Sequence, residues 1–202
     1  MKDIFEEGKV YEVLLVTKSN VTPIGVVRKG NKFHFKLFGG KSFQEIKNSP
    51  FAVLHVIQDV ELLIKAALNM ELNIEFEDAK TVPIKRIKGM PATIEGKVEW
   101  KEEQWKDELG ETKVLSCVLT PTYQEMSLIP IKPLSRADYA LLEMGVLLTR
   151  LFVATRKNKV DLARKIYSKI WENYQLYKHL GGKSELAEKI IGLSVISVRW
   201  NT

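Results

Sequence analysis

Apolar and polar positions alternate with the period of a β-strand over the first third of the chain. Val10 to Thr17 (VYEVLLVT) is β-branched and apolar, and a Lys18-Ser19-Asn20 turn separates it from Thr22 to Val27 (TPIGVV), which predicts a hairpin. A second turn, Arg28-Lys29-Gly30-Asn31, leads into Lys32 to Phe38, where Phe33, Phe35 and Leu37 alternate with Lys32, His34 and Lys36. Gly39-Gly40 breaks this strand. Lys41 to Ile46 then reads as a helix, stopped by Asn48-Ser49-Pro50 before a strand from Phe51 to Ile57.

Further on, Glu61 to Leu68 suits a short helix, and Leu72 to Phe76 fits more than one element type. Pro91 to Trp100 and Thr112 to Thr120 read as strands of a long hairpin interrupted by the charged segment Glu102 to Glu111. Trp100 and Trp105 would pack under its tip or at a subunit contact, with core packing the default for tryptophan. From Ser135 the spacing becomes helical. Ser135 with Asp138 resembles a capped start, and Leu141, Met144, Leu147, Leu148 and Leu151 make a helix too apolar to stand exposed. Ala163, Ile166, Ile170, Tyr174 and Tyr177 mark one face of a second helix, closed by Gly181-Gly182. A short helix from Glu185 to Ile191 follows, and Gly192 releases Leu193 to Val198 (LSVISV), read as a strand returning to the β core. The division expected is thus a β-rich body over 1–133, a helical subdomain over 134–192 and a returning strand over 193–202.

The glycine break carries the candidate chemistry. A strand feeding a helix start through Gly39-Gly40-Lys41-Ser42-Phe43 is anion-binding geometry: free amides and the helix dipole favour a phosphate, the glycines let backbone approach it, and Lys41 and Ser42 add a charge and a hydroxyl. A second explanation stands beside it, because Ser42 and Glu45 also fit the S-x-x-E capping box. The same tetrapeptide, GGKS, recurs at Gly181 to Ser184, where a glycine C-cap and a serine N-cap explain it fully. The hairpin before Gly39 is what favours a site at the first copy. It is no P-loop, since GxxxxGKS would need glycine where Phe35 stands.

Thr22-Pro23-Ile24-Gly25, then GKSFQEI, then FAVLHVIQD, in this order and spacing, resemble the FMN-binding split barrels related to flavin reductases. The chain is most similar to an uncharacterised, mainly archaeal family within them, whose helix start reads roughly Ser-Lys-Thr-Tyr-x-Asn-Leu and which commonly has Asn-Arg-Ala where Ser135-Arg136-Ala137 stands here. The resemblance covers most of the chain. It implies a mainly β, α+β fold, a split β-barrel with a carboxy-terminal helical subdomain, built as a homodimer with FMN as cofactor. Lys41 and Ser42 would bind the flavin phosphate. Thr22, Pro23, Ile24 and Gly25 would lie along the isoalloxazine, or be an ordinary strand with an edge-compatible proline. Phe43 would cover part of the flavin, or belong to the core. His55, where many related chains have asparagine, would hydrogen-bond the ring or ribityl chain, or be a satisfied buried histidine.

Composition narrows the alternatives. The 202 residues are 45% hydrophobic, enough for a sizeable core. A single Cys117 excludes an intrachain disulfide framework, and with His34, His55 and His179 scattered no metal-ligand cluster is expected. No signal segment or membrane-length apolar run is read, so a soluble cytoplasmic protein is expected. The net charge of +6 and pI near 9.2 raise nucleic-acid binding, above all through Lys80, Lys85, Arg86 and Lys88, but acidic residues are interleaved and no recognition motif appears. The expected function is FMN binding in a flavin-dependent oxidoreductase with an unidentified small-molecule substrate or electron donor. The alternatives are a non-catalytic flavin carrier or sensor, and a basic nucleic-acid- or protein-binding module on the same barrel.

Overall fold

The computed structural model describes residues 4–8, 10–127 and 136–199. Strands β1 (Val10–Val16), β2 (Val21–Lys29) and β3 (Lys32–Leu37) form the expected meander, and helix α1 (Gly40–Asn48) leads into β4 (Phe51–Val56). Helix α2 (Val60–Ala67) and the small pair β5 (Phe76–Asp78) and β6 (Lys85–Ile87) precede the long hairpin of β7 (Ala92–Asp107) and β8 (Gly110–Met126). Three helices follow: α3 (Arg136–Arg156), α4 (Val160–His179) and α5 (Glu185–Arg199). The expected cap at Ser135 lies outside the described residues.

Six strands close into an antiparallel barrel in the order β1-β2-β3-β8-β7-β4. Strand alternation explains the core: Val13, Leu15, Ile24, Val26, Phe33, Phe35 and Leu37 point inward, as do Leu54, Ile94 and Leu119. Phe43 and Ile46 of α1 belong to the same core, and Phe5 joins it beside the β2–β3 end, with its ring edge-on to Tyr11 and Phe33. The segment 102–111 is not an excursion. β7 and β8 pair through it to a tight turn at Glu108-Leu109, because Lys101, Lys106 and Lys113 meet Glu103, Glu111 and Glu102 in ion pairs that suit an exposed two-stranded ribbon.

One pairing is incomplete, and it creates the opening that matters here. β2 pairs with β1 from Val21 to Val27, but its partners on β3 begin only at Val26. The Thr17 amide donates to the Asn20 carbonyl and closes the β1–β2 hairpin. Antiparallel pairs alternate between bonded and non-bonded, so Leu15↔Thr22 and Val13↔Ile24 exchange bonds while Val16↔Val21 and Leu14↔Pro23 do not. The main-chain groups of Val21 and Pro23 therefore face the side where the register supplies no strand. Pro23 loses nothing there by lacking an N–H.

The described residues fall into two compact units. The barrel with 72–91 is one; Asp59–Glu71 and the three long helices are the other. α2 thus belongs with the helices, where Gly145 of α3 lets Ile64 approach closely. The strand expected at 193–198 is instead the end of α5. Leu186, Ala187, Ile190 and Ser194 are buried at helical spacing, and Ser194 and Ser197 donate their hydroxyls to the carbonyls of Ile191 and Leu193. β4, not a carboxy-terminal strand, pairs with β1 to close the barrel. No helix among the described residues is long and apolar enough to cross a membrane.

The fold makes one glycine indispensable. At the irregularity between Glu95 and Gly96 a β-carbon on Gly96 would collide with the Thr120 carbonyl oxygen and the Leu119 side chain. Gly96→Ala should destabilise the barrel by about 2 kcal/mol, read as a lower urea midpoint with an unchanged m-value.

Candidate functional site

β3 ends at Leu37, and the chain turns into α1 through two glycines in the left-handed region, Gly39 at φ 71° and Gly40 at φ 78°. A β-carbon on either would meet nothing within 4 Å. The backbone conformation, not crowding, selects glycine here, and the space in front of both is open. No side chain caps α1 and its first turn holds no acidic residue. The amides at its start and the positive end of its dipole are left for an anion. Lys41 is exposed beside them and makes no ion pair or hydrogen bond among the described residues.

The capping-box explanation does not match this geometry. Ser42 lies inside α1 at its third residue and is 4% exposed; its Oγ accepts from Asn20 Nδ2 at 2.9 Å and lies 3.4 Å from Thr17 Oγ1. Glu45 reaches away from the helix start to the β1–β2 turn. Its Oε2 accepts from Thr17 Oγ1 at 2.6 Å and the Ser19 amide at 3.0 Å, and its Oε1 from Ser19 Oγ at 2.6 Å. Burial pushes the Glu45 carboxyl up, but the Ser19 and Thr17 hydroxyls, the Ser19 amide and Lys41 together outweigh it and hold the group below its ordinary value. The second GGKS is pure capping. The Gly182 and Gly181 amides donate to the Tyr177 and Lys178 carbonyls in a Schellman arrangement, and Ser184 Oγ accepts from the Leu186 amide.

The Asn20–Ser42 bond brings the start of α1 against the start of β2. Thr22, Pro23, Ile24 and Gly25 therefore run from this corner along the open edge, with Thr22 and Pro23 half-buried, Ile24 buried in the core and Gly25 exposed. Phe43 is placed elsewhere: it is 5% exposed within the barrel core, the packing alternative raised from sequence. His55 is also internal. Its Nε2 accepts from the Ile87 amide at 3.0 Å, which fixes the proton on Nδ1, 3.1 Å from Thr93 Oγ1. Both ring nitrogens are spent, and they tie β6 to β4 and β7.

Sequence reading missed the polar residues that join the corner, namely Thr17, Ser19, Asn20 and Glu45. Their signal was a Ser-Asn turn facing a helix carboxylate, but its partners are more than twenty residues apart. It also missed a buried charge cluster. Glu95 is fully buried and accepts from the Lys80 and Thr81 amides and Thr81 Oγ1, with Arg86 Nη1 3.5 Å away. Three of the four basic residues considered for nucleic acid are paired: Lys85 with Asp78, Arg86 with Glu77 and Glu125, and Lys88 with Glu75. A cavity of about 560 Å³ opens at the far end of β2, lined by Arg28, Asn31, Lys32, Phe33 and Gln124 among others. Arg28 is occupied there by the Phe5 and Gly30 carbonyls and lies 3.7 Å from Glu7. Among the described residues no cluster of His, Cys, Asp or Glu is arranged to hold a metal ion.

His55 gives the site's surroundings a pH signature. Burial pushes its imidazole from 6.5 down to about 3, with the Arg86 charge adding to the shift. The unfolded chain takes up this proton near pH 6.5 and the folded protein only near 3, so stability is lost on acidification across that window and is flat above it. The contribution is at most about 1.4 kcal/mol per pH unit. His55→Gln should be less stable at neutral pH and show a shallower acid decline in urea midpoint.

Residues 11–127 match the family described as a protein of unknown function, DUF447, N-terminal domain, and residues 135–192 match the corresponding DUF447 description for the remainder. No curated protein matches the chain. Among solved structures, an FMN-bound DUF447 protein from Methanosarcina mazei superposes with a TM-score of 0.65 at 19% identity, covering 96% of both chains. Nitrilotriacetate monooxygenase component B from Bacillus cereus reaches 0.48 at 9% identity, over 70% of this chain and 82% of that one. The 2-nitrobenzoate 2-nitroreductase of Pseudomonas fluorescens reaches 0.46 at 10% identity, over 60% and 67%. With its six-stranded barrel, its carboxy-terminal helices and matches over both segments, the chain belongs to the DUF447 family.

Proposed function

We propose that this protein binds FMN, with the phosphate at the start of α1 and the isoalloxazine along Val21 to Gly25. The observation that carries the reading is the corner itself. An uncapped helix start, two left-handed glycines facing open space and an exposed lysine stand beside a strand edge whose main-chain groups have no strand partner. The donor set fits the group: amides, Lys41 and the Ser42 hydroxyl suit a phosphate, and the main chain of Val21 and Pro23 suits the polar edge of a flavin ring. The superposable Methanosarcina mazei protein is FMN-bound, which supports FMN as the ligand.

When bound, FMN supplies hydride chemistry, and the reading is therefore a flavin-dependent oxidoreductase acting with a small-molecule donor or acceptor. The chain's own part is to bind and orient. Lys41 and Ser42 hold the anionic end, the open edge of β2 aligns the ring, and Gly25 presents no side chain toward it. His55 and Phe43 act at one remove, by fixing β4 and α1. The working unit is taken as a homodimer. Phe38 and Trp100, 55% and 38% exposed near the α1 end of the barrel, give that reading apolar surface to bury. A reducing cytoplasm suits the single buried Cys117, whose thiol burial pushes up to about 12.

Lys41→Ala combined with Ser42→Ala should weaken FMN binding by about tenfold or more, a larger effect than the modest fall in unfolding midpoint expected from losing the Asn20–Ser42 bond. A lowered midpoint with unchanged FMN affinity, measured by fluorescence titration, would show that these residues serve the helix and not a ligand.

A further inference from the structure

We infer that Glu45 is a positioning residue for the phosphate end of this site, acting through the β1–β2 turn; the inference rests on the FMN reading above. Glu45 touches no part of the open corner, but three hydrogen bonds of 2.6 to 3.0 Å staple the Thr17–Asn20 turn to α1. The turn in turn holds Ser42, through Asn20 Nδ2 and Thr17 Oγ1. Thr17 has one hydroxyl proton. The 2.6 Å bond to a carboxylate claims it, so Thr17 meets Ser42 as an acceptor. Asn20 donates to Ser42 as well, so the Ser42 proton is held only by the 3.4 Å contact to Thr17. An anion at the start of α1 is a better acceptor for that proton than Thr17 is.

The arrangement also resolves a conflict of charge. A carboxylate on the second turn of α1 would oppose an anion at its start, because like charges in one low-dielectric corner repel. Here both carboxylate oxygens are engaged by hydroxyls and an amide of the turn, which spread its charge away from the helix start. Glu45 thereby gains the rigidity of an ionised clamp, and the Lys41 charge offsets its own near the ligand. The same clamp fixes the Asn20 end of β2, so the anion cradle and the open edge keep one mutual register.

The test compares FMN with riboflavin, which shares the ring and lacks the phosphate, on the full chain. In the wild type FMN should bind more tightly than riboflavin. Glu45→Ala should lower FMN affinity by about tenfold while riboflavin affinity changes by less than about twofold. Glu45→Gln, which keeps an acceptor, should recover part of the loss and guards against a failure of the alanine variant to fold. Variants that lose thermal stability but keep the wild-type ratio of FMN to riboflavin affinity would overturn the positioning role and leave a structural staple. A wild type that does not distinguish the two flavins would instead overturn the phosphate cradle on which the inference rests, before any variant is made.

Discussion

β2 is paired with β1 from Val21 to Val27 but with β3 only from Val26 onward, and the candidate site depends on that half-paired strand. A barrel stave that is missing one neighbour must leave main-chain donors and acceptors to water or to a ligand, since buried backbone groups are almost never left unpaired. Pro23 falls at a position that would have pointed an N–H into the opening, and Gly25 follows two residues on. The chain therefore lowers the cost of the opening with residues that tolerate an unpaired edge, within a barrel whose strand order is closed.

The second requirement is that something hold the opening in place. α1 does this twice. Its apolar face sends Phe43 and Ile46 into the barrel core, which fixes the helix as a plug. Its polar face, through Ser42 and Glu45, grips the β1–β2 turn at the base of the open edge. Away from this corner the buried polar groups are internally satisfied: His55 ties β6 to the barrel wall, and Glu95 accepts the Lys80 and Thr81 amides. What marks the corner as a place for a ligand is an uncapped helix start at Gly40 combined with two glycines facing open space and a strand edge without a strand partner.

Much of the barrel was legible in the sequence because its signals are local. The alternation in Lys32 to Phe38 and the glycine break at Gly39-Gly40 fix β3 and α1 within a residue or two, and the strand-turn-strand pattern at Val10 to Val27 fixes the hairpin. Serine and glutamate three apart were ambiguous, since the same spacing marks a capping box and two residues inside a helix. The true start at Gly40 decides between them. The clamp on Glu45 and the bonds of His55 join residues far apart in sequence, so no local window contains them. The run LSVISV reads as a strand by composition, yet its serines bond back to helix carbonyls and its apolar residues continue the stripe of α5. Tertiary burial against helices overrode β propensity there.

The most direct test of the account is the pattern of backbone amide shifts in a two-dimensional ¹H–¹⁵N spectrum as FMN is added. With FMN at this corner, the amides of Gly40, Lys41 and Ser42 move together with those of Val21, Thr22, Ile24 and Gly25. Shifts confined to the far end of β2, around Arg28 to Lys32, or no saturable shift in the folded protein, would contradict it.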